Sequence, residues 1–138
     1  MTKPSVVRFQ RGIVLLEALV AMLLFTVAVL GIVGLQASMT KAQTSAKFRA
    51  DASFLADQLI GVMWTDSAAL ATLANYRSAS CDGYARCLDW KNRLANALPG
   101  SSSVVTVDTS NGNVTVQISW TAPHEGTHTY TTASAIRK

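Results

Sequence analysis

An apolar run from Ile13 to Leu35 constrains this chain more than any other feature of its sequence. As a helix rising about 1.5 Å per residue, the run is long enough to cross the hydrocarbon core of a bilayer, which is about 30 Å thick. One carboxylate, Glu17, lies near the start of the run, and burying it in hydrocarbon costs roughly 2.5 to 3.5 kcal/mol. We therefore predict a membrane-spanning helix in which Glu17 has a partner that offsets this cost.

Basic residues, with no acidic residue among them, precede the run. Lys3, Arg8 and Arg11 precede it, and no acidic residue occurs before Glu17. The positive-inside tendency then predicts a cytoplasmic N-terminus, with the chain beyond Leu35 on the outer side of the membrane. Without those three basic residues the formal net charge of +4 falls to +1, so the basic balance is poor support for a nucleic-acid-binding surface.

A cleaved secretory signal is the alternative interpretation of the run. The apolar core of such a signal is about 7 to 15 residues long and ends at a cleavage site of small residues. Here the run is longer, and Leu35–Ala37 matches that cleavage pattern poorly. The sequence therefore favours a retained membrane helix.

The helical pattern continues past the apolar run. No proline occurs between Ile13 and Trp64, and apolar residues recur at every third or fourth position, as on one face of an amphipathic helix. Those positions are Phe48, Ala52, Leu55, Leu59 and Met63. We predict one long helix with a transmembrane half, residues 13–35, and an amphipathic half that begins an outer domain of residues 36–138.

Two shorter helices follow in the predicted outer domain. Thr65–Ser67 offers a cap for a short second helix. Trp90, Leu94 and Leu98 then recur at a spacing of four before the stop at Pro99–Gly100, which predicts a third helix.

The rest of the chain changes to the alternating period of strands. Apolar and polar residues alternate around Val105, again over residues 114–120, and a threonine-rich segment covers residues 127–136. Turn residues separate these segments. The expected fold class is therefore α+β, a long N-terminal helix packed on a small antiparallel sheet of about three strands.

The pentad HEGTH, His124 to His128, matches the H-E-x-x-H pattern of zinc peptidases. That chemistry needs a helix, which brings both histidines onto one metal. Here the pentad follows Pro123 and contains Gly126, and in an extended segment the histidines would lie about 13 Å apart. No third ligand follows His128. We therefore predict a polar turn and neither a metal site nor an enzyme.

Cys81 and Cys87 are the only cysteines of the chain. Both follow the membrane run, on the side predicted to be oxidising, where a lone pair favours a disulfide over a metal site. Two unpaired thiols remain the alternative, because the geometry of the intervening loop decides whether the bond can form. A disulfide over so short a loop would contribute roughly 2 to 3 kcal/mol.

The start of the chain resembles the leader and helix of type IV pilins and pseudopilins. The resemblance rests on the basic tail, Gly12, an apolar run whose fifth residue is Glu17, and the helix that follows. In that family a membrane peptidase cuts after the glycine and methylates the new N-terminus, here Ile13. The glutamate then meets the amino terminus of a neighbouring subunit as the helices stack, which would supply the partner that Glu17 requires.

The resemblance implies a structural subunit without a cofactor, with residues 1–12 as its cleaved leader. Its partners would be other minor and major pilins, the prepilin peptidase and the inner-membrane assembly machinery. The protein would lie in the inner membrane with its outer domain in the periplasm, and in the pilus after assembly.

Some features depart from the pattern of the major pilins, and others narrow the resemblance. Ile13 and Val14 replace the more usual Phe and Ser or Thr, and the bending proline of many major pilins is absent. Over Asp57 to Trp120 the paired cysteines, the helix WKNRLANALPG and the strand NVTVQISW resemble, in patches, minor pilins of the PilV type. A minor pseudopilin of type II secretion and a single-pass anchored binding or sensor domain are the alternatives.

Overall fold

The structure, a computed structural model, describes residues 11–66, 69–123 and 125–137. The chain divides into two compact units, Met1–Ala42 and Gln43–Lys138. A single helix, α1 (Arg11–Asp66), runs through the first unit and into the second. The long helix predicted from the sequence is therefore confirmed.

The part of α1 in the first unit is apolar and exposed. It is the one helix of the described chain that is long and apolar enough to cross a membrane, and the most apolar stretch of it buries no residue within the structure. The Thr26 hydroxyl donates to the Leu23 carbonyl at 2.8 Å, so this polar group is satisfied inside the helix. Neither Gly31 nor Gly34 interrupts the helix.

The second unit continues with the last part of α1, two 3-10 helices, one α-helix and three strands. In chain order these are the 3-10 helices Leu70–Tyr76 and Cys81–Gly83, helix α2 (Ala85–Ala97), and strands β1 (Ser102–Asp108), β2 (Asn113–Ala122) and β3 (Gly126–Ala135). The strands form one antiparallel sheet in the order β1-β2-β3. The predicted α+β class, a long N-terminal helix packed on a three-stranded antiparallel sheet, is confirmed.

Both hairpin turns depend on a glycine with positive φ. Between β1 and β2, Gly112 has φ 73°, and its N–H donates to the Asp108 carbonyl at 2.8 Å. Between β2 and β3, the Glu125 N–H donates to the Ala122 carbonyl at 3.1 Å, and Gly126 has φ 83°. L-residues with a side chain rarely adopt this conformation, so glycine sets both turns and with them the strand register.

The core of the second unit lies between the sheet, α2 and the buried face of α1. A link between the two helices is a hydrogen bond from Trp90 Nε1 to the Leu55 carbonyl at 2.8 Å, which satisfies the indole inside the core. The buried residues are Ala52, Leu55, Ala56, Leu59, Met63, Leu73, Tyr76, Cys81, Cys87, Trp90, Leu94, Leu98, Val105, Val107, Val114, Val116, Ile118, Trp120, Ala122 and Ile136.

The two edges of the sheet differ. Along β1 the outer edge is covered by the segment after the first 3-10 helix: Arg77 donates from Nε and Nη2 to the Val107 carbonyl at 3.1 and 3.0 Å. Ser78 donates its N–H to the Val105 carbonyl at 3.2 Å, and its Oγ accepts from the Val105 N–H at 2.7 Å. The other edge is β3, which pairs with β2 on its inner side.

One local prediction is wrong. Thr65–Ser67 was expected to cap a short helix. Ser67 lies outside the described residues, Thr65 and Asp66 belong to α1, and the 3-10 helix that follows has Ala69 at its N-cap and no side-chain capping bond. The Asp66 carboxylate instead accepts hydrogen bonds from residues farther along the chain. The Asp66 side chain, which the local sequence predicts to cap a helix, therefore makes tertiary hydrogen bonds instead.

Candidate functional site

Glu17 lies on an apolar, exposed face of α1. The shallow groove on this face is lined by Ile13, Leu16, Glu17, Val20, Ala21 and Leu24. Ile13 and Leu16 are 58% and 63% exposed, and within the described chain the carboxylate of Glu17 has no hydrogen bond or ion pair. None of the residues that the structure describes covers this apolar face or its single acid.

The predicted cleavage position lies at the start of the same helix. Gly12 and Ile13 are in the first turns of α1, and Glu17 follows Ile13 by four residues on the same face. Lys3 and Arg8, the other basic residues of the predicted leader, lie outside the described residues. Ile13 and Glu17 are therefore separated by about one helical turn.

A second exposed face runs along α1 in the second unit. Phe54 and Trp64 are 67% and 44% exposed, which is unusual for large apolar side chains beside a formed core. Gly61 lies on the same side of the helix, and a Cβ placed there would meet no atom within 4 Å. This stripe, Phe54–Gly61–Trp64, faces away from the sheet, because the opposite face of the helix forms the core.

The paired cysteines are bridged, as predicted. Cys81 and Cys87 form a disulfide with their Cα atoms 5.1 Å apart, and both side chains are buried. The bond closes a loop that joins the second 3-10 helix to the first turn of α2. The disulfide therefore fixes the residues between them, including Tyr84 and Arg86.

Those two residues converge on the end of α1. Asp66 Oδ2 accepts a hydrogen bond from the Tyr76 hydroxyl at 2.7 Å and another from the Tyr84 hydroxyl. Asp66 Oδ1 lies 3.3 Å from Arg86 Nη1, and the two tyrosine rings meet edge to face with centroids 5.2 Å apart. We call Asp66, Tyr76, Tyr84 and Arg86 the Asp66 cluster.

The cluster changes the acidity of its members. Hydrogen bonds from Tyr76 and Tyr84, together with the Arg86 charge, lower the pKa of the Asp66 carboxyl against the opposing effect of burial. Burial, followed by the hydrogen bond to Asp66, raises the pKa of Tyr76 far above its usual value. The hydrogen bond to Asp66 likewise raises the pKa of Tyr84. Asp66 is thus held ionised and both tyrosines are held protonated.

The HEGTH segment lies in a turn and strand where it is described. His124 is outside the described residues, and His128 lies in β3, where its ring stacks on Trp120 with centroids 5.7 Å apart. His128 Nε2 lies 3.4 Å from Glu125 Oε2. Within residues 11–66, 69–123 and 125–137, no three His, Cys, Asp or Glu side chains are grouped so as to hold a metal ion.

Comparison with protein-family models, curated proteins and solved structures gives no match for this chain. The interpretation of its function therefore depends on the residues and geometry described above.

Two features escaped sequence reasoning. The Asp66 cluster joins residues 10 and 18 positions apart, and no periodic pattern marks such contacts. The covering of the β1 edge by Arg77 and Ser78 is also not visible in the sequence, because it depends on where the chain returns after the first 3-10 helix. The disulfide and Glu17, by contrast, were found from composition and spacing.

Proposed function

We propose that this protein is a minor pilin, a low-abundance structural subunit that helps to start type IV pilus assembly in a priming or tip complex. The observation that carries the proposal is Glu17, a carboxylate to which residues 11–66, 69–123 and 125–137 offer no partner. It lies on an exposed apolar helix face, at the fifth position after Gly12. A membrane anchor that only tethers a domain gains nothing from such a carboxylate. A subunit that must recognise its neighbour does.

In the proposed mechanism, cleavage after Gly12 frees the amine of Ile13, which is then methylated. The amine of a neighbouring subunit pairs with Glu17 when the apolar helices stack. Pairing opposite charges in a medium of low dielectric constant offsets the desolvation of both, whereas removing one partner leaves the other buried and uncompensated, at about 3 to 5 kcal/mol. The charge pair therefore selects the register in which two apolar helices associate.

The exposed stripe of α1 supports the same proposal from the second unit. Phe54 and Trp64 place large apolar side chains on a helix face that the sheet leaves uncovered. Stacked pilin helices would cover this face. A tethered sensor would leave it in water, where apolar patches favour aggregation.

Among pilin-like proteins, the order of the disulfide loop, α2 and β2 supports a minor pilin of the PilV type. A minor pseudopilin of type II secretion, which would share the leader and the helix, is the second candidate. Co-purification of full-length protein from membranes separates them, because pilus subunits or secretion subunits will accompany it. In either case we propose an inner-membrane protein with a cytoplasmic N-terminus and a periplasmic outer domain.

The test of the assembly role is Glu17→Ala in a complementation assay that counts surface pili. We expect the variant to insert and to be processed, because Gly12 and the basic leader are unchanged. A loss of about 3 to 5 kcal/mol should weaken its association with a neighbouring subunit by about a hundredfold or more, so pilus assembly should fail. Thr26→Ala is the matched control in the same apolar run, since the Thr26 hydroxyl bonds only within its own helix.

An immunoblot must show equal amounts of processed protein for the variant, the control and the wild type. Wild-type pilus numbers for Glu17→Ala at equal protein would show that the carboxylate has no part in assembly. The anchored sensor would then be the better hypothesis.

A further inference from the structure

The outer edge of β3 is the one sheet edge that the described chain leaves without a hydrogen-bonding neighbour. Arg77 and Ser78 cover the β1 edge, but β3 pairs with β2 alone. In an antiparallel strand, alternate N–H and C=O groups point away from the paired neighbour. Over Gly126–Ala135, the backbone therefore presents a row of donors and acceptors at the same spacing as a strand that would pair with it.

This edge also lacks the protection that natural sheets use. Exposed edges are usually blocked by lysine or another charge, by proline, by a bulge within the strand or by a covering segment. Gly126–Ala135 contains no charged residue and no proline. An exported protein that left ten such residues without a partner would risk aggregation, so this edge has the character of an interface.

A groove lies directly beside the open edge. Its volume is about 580 Å³, and it separates α1 from the first half of β3; its lining residues are Arg49, Ala50, Ser53, Trp120, Thr127, His128, Thr129 and Tyr130. The side chains of β3 that point toward α1, His128 and Tyr130, are only half-buried. Their neighbour on β2, Trp120, is buried. A further strand beside β3 would complete the burial of this side of the sheet.

The charge of the groove selects the side chain that would enter it. Arg49, on the α1 wall, is exposed and has no ion pair within the described residues. The nearby acids have partners, since Asp51 lies 4.0 Å from Lys47 and Glu125 lies 3.4 Å from His128. The chemistry complementary to Arg49 is a carboxylate, which a guanidinium binds through two parallel hydrogen bonds.

We propose that β3 accepts an extended strand from a partner protein, and that an acidic side chain of this strand enters the groove beside Arg49. The backbone ladder gives affinity for any extended segment, and the pocket for one side chain gives specificity. This proposal concerns the second unit alone, so it holds whether or not Glu17 pairs with a neighbouring amine.

Three synthetic peptides test the proposal against the full-length protein in detergent micelles. The first is the capped peptide TVTETVT, the second has lysine in place of glutamate, and the third is TVTETVT with every other backbone nitrogen methylated. Binding is measured by titration, and amide hydrogen exchange reports which residues become protected. We expect TVTETVT to bind about two- to fivefold more tightly than the lysine peptide, as for an exposed ion pair, and to protect amides of β3. The methylated peptide should not bind, because it has lost donors to the ladder.

Two charge-reversal variants locate the carboxylate. Arg49→Glu should reverse the preference between the acidic and the lysine peptide. Lys47→Glu, two residues earlier and on the other side of α1, should leave the preference unchanged. The proposal is overturned if no peptide binds, if the methylated peptide binds equally well, or if protection falls outside β3. It is also overturned if sedimentation shows that two copies of this chain pair through β3, since the edge would then be occupied by a second copy.

Discussion

At the scale of single residues, Asp66 has three side-chain partners: Tyr76, Tyr84 and Arg86. One carboxylate receives two tyrosine hydroxyls and faces a guanidinium, and these groups come from two separate segments that follow α1. Arg86 is 56% exposed on its side chain, so its ion pair contributes little compared with the two hydrogen bonds. Asp66 therefore holds the end of α1 to the disulfide loop chiefly through Tyr76 and Tyr84.

Replacing Asp66 with asparagine should lower the free energy of unfolding by about 1.5 to 3 kcal/mol at neutral pH, the range for hydrogen bonds to a charged group. The pKa of Asp66 is lowered in the folded protein, so its contribution is present above the unfolded value of about 4 and is lost as pH falls through the folded value. The difference between wild type and Asp66→Asn should therefore shrink in acid. Thermal unfolding of the full-length wild type and variant in detergent, followed from neutral to strongly acidic pH, measures this difference in stability.

The matched control is Asp57→Asn, because Asp57 is an exposed acid on the same helix. Its effect should stay within about 0.5 kcal/mol at every pH, as for most surface substitutions. An Asp66→Asn deficit that does not change with pH would contradict the assignment to the charged form. The protein should also lose stability in alkali, for a different reason. The pKa values of Tyr76 and Tyr84 are raised in the folded protein, so the free energy of unfolding falls once the pH exceeds the unfolded value of about 10.

At the scale of elements, the two hairpin turns look alike in φ but differ in surroundings. A Cβ on Gly112 would overlap the carbonyl oxygen of Ile136, whose N–H donates to the Gly112 carbonyl at 2.8 Å. A Cβ on Gly126 would meet no atom within 4 Å. The first turn is therefore in contact with the segment that follows β3, whereas a side chain at Gly126 would have open space around it.

These surroundings predict unequal effects of the same substitution. Gly126→Ala should cost about 1 to 2 kcal/mol, the penalty of a left-handed conformation for an L-residue. Gly112→Ala should lower the free energy of unfolding by more than Gly126→Ala does, because the Ile136 backbone must also move. Paired urea titrations of the two variants measure the difference, and equal losses would show that the contact with Ile136 is unimportant.

Sequence predicted the parts of the fold in which a regular spacing of apolar residues marks the buried face of a helix or strand. Val114, Val116 and Ile118 alternate with polar residues and are buried, as a period of two requires. Sequence-based prediction failed at Asp66. This residue has the local features of a helix cap, but its carboxylate accepts hydrogen bonds from tyrosines 10 and 18 positions away. Local preference cannot anticipate such a bond, because it forms only after three segments have packed.

The candidate functional residues also differ in how far the sequence reveals them. Glu17 stands out in the sequence because a carboxylate is anomalous within an apolar run. Arg49 does not stand out, because an exposed arginine on an amphipathic helix is ordinary. Its importance arises from the groove beside β3, which exists only once the sheet and helix have packed.

At the scale of the whole molecule, the proposed leader makes a direct prediction. N-terminal sequencing of protein taken from membranes should find a methylated chain that begins at Ile13, because Gly12 ends the basic leader. Loss of the leader removes Lys3, Arg8 and Arg11, so the isoelectric point of the mature protein should also fall from its sequence value of about 9.4. A chain that begins at Met1 or after Ala37 would contradict the pilin proposal.

The order of the strands also has a consequence for export. The sheet order β1-β2-β3 is the order of synthesis, and successive strands are joined by short hairpins. Such local connections favour rapid folding, since little loop-closure entropy separates one pairing from the next. If the residues after the apolar run emerge from the membrane in sequence order, each strand can add to the previous one as it appears. Within the described residues, the bond from the Ile136 N–H to the Gly112 carbonyl would then form only after all three strands had paired, and it would join the first hairpin turn to the segment that follows β3.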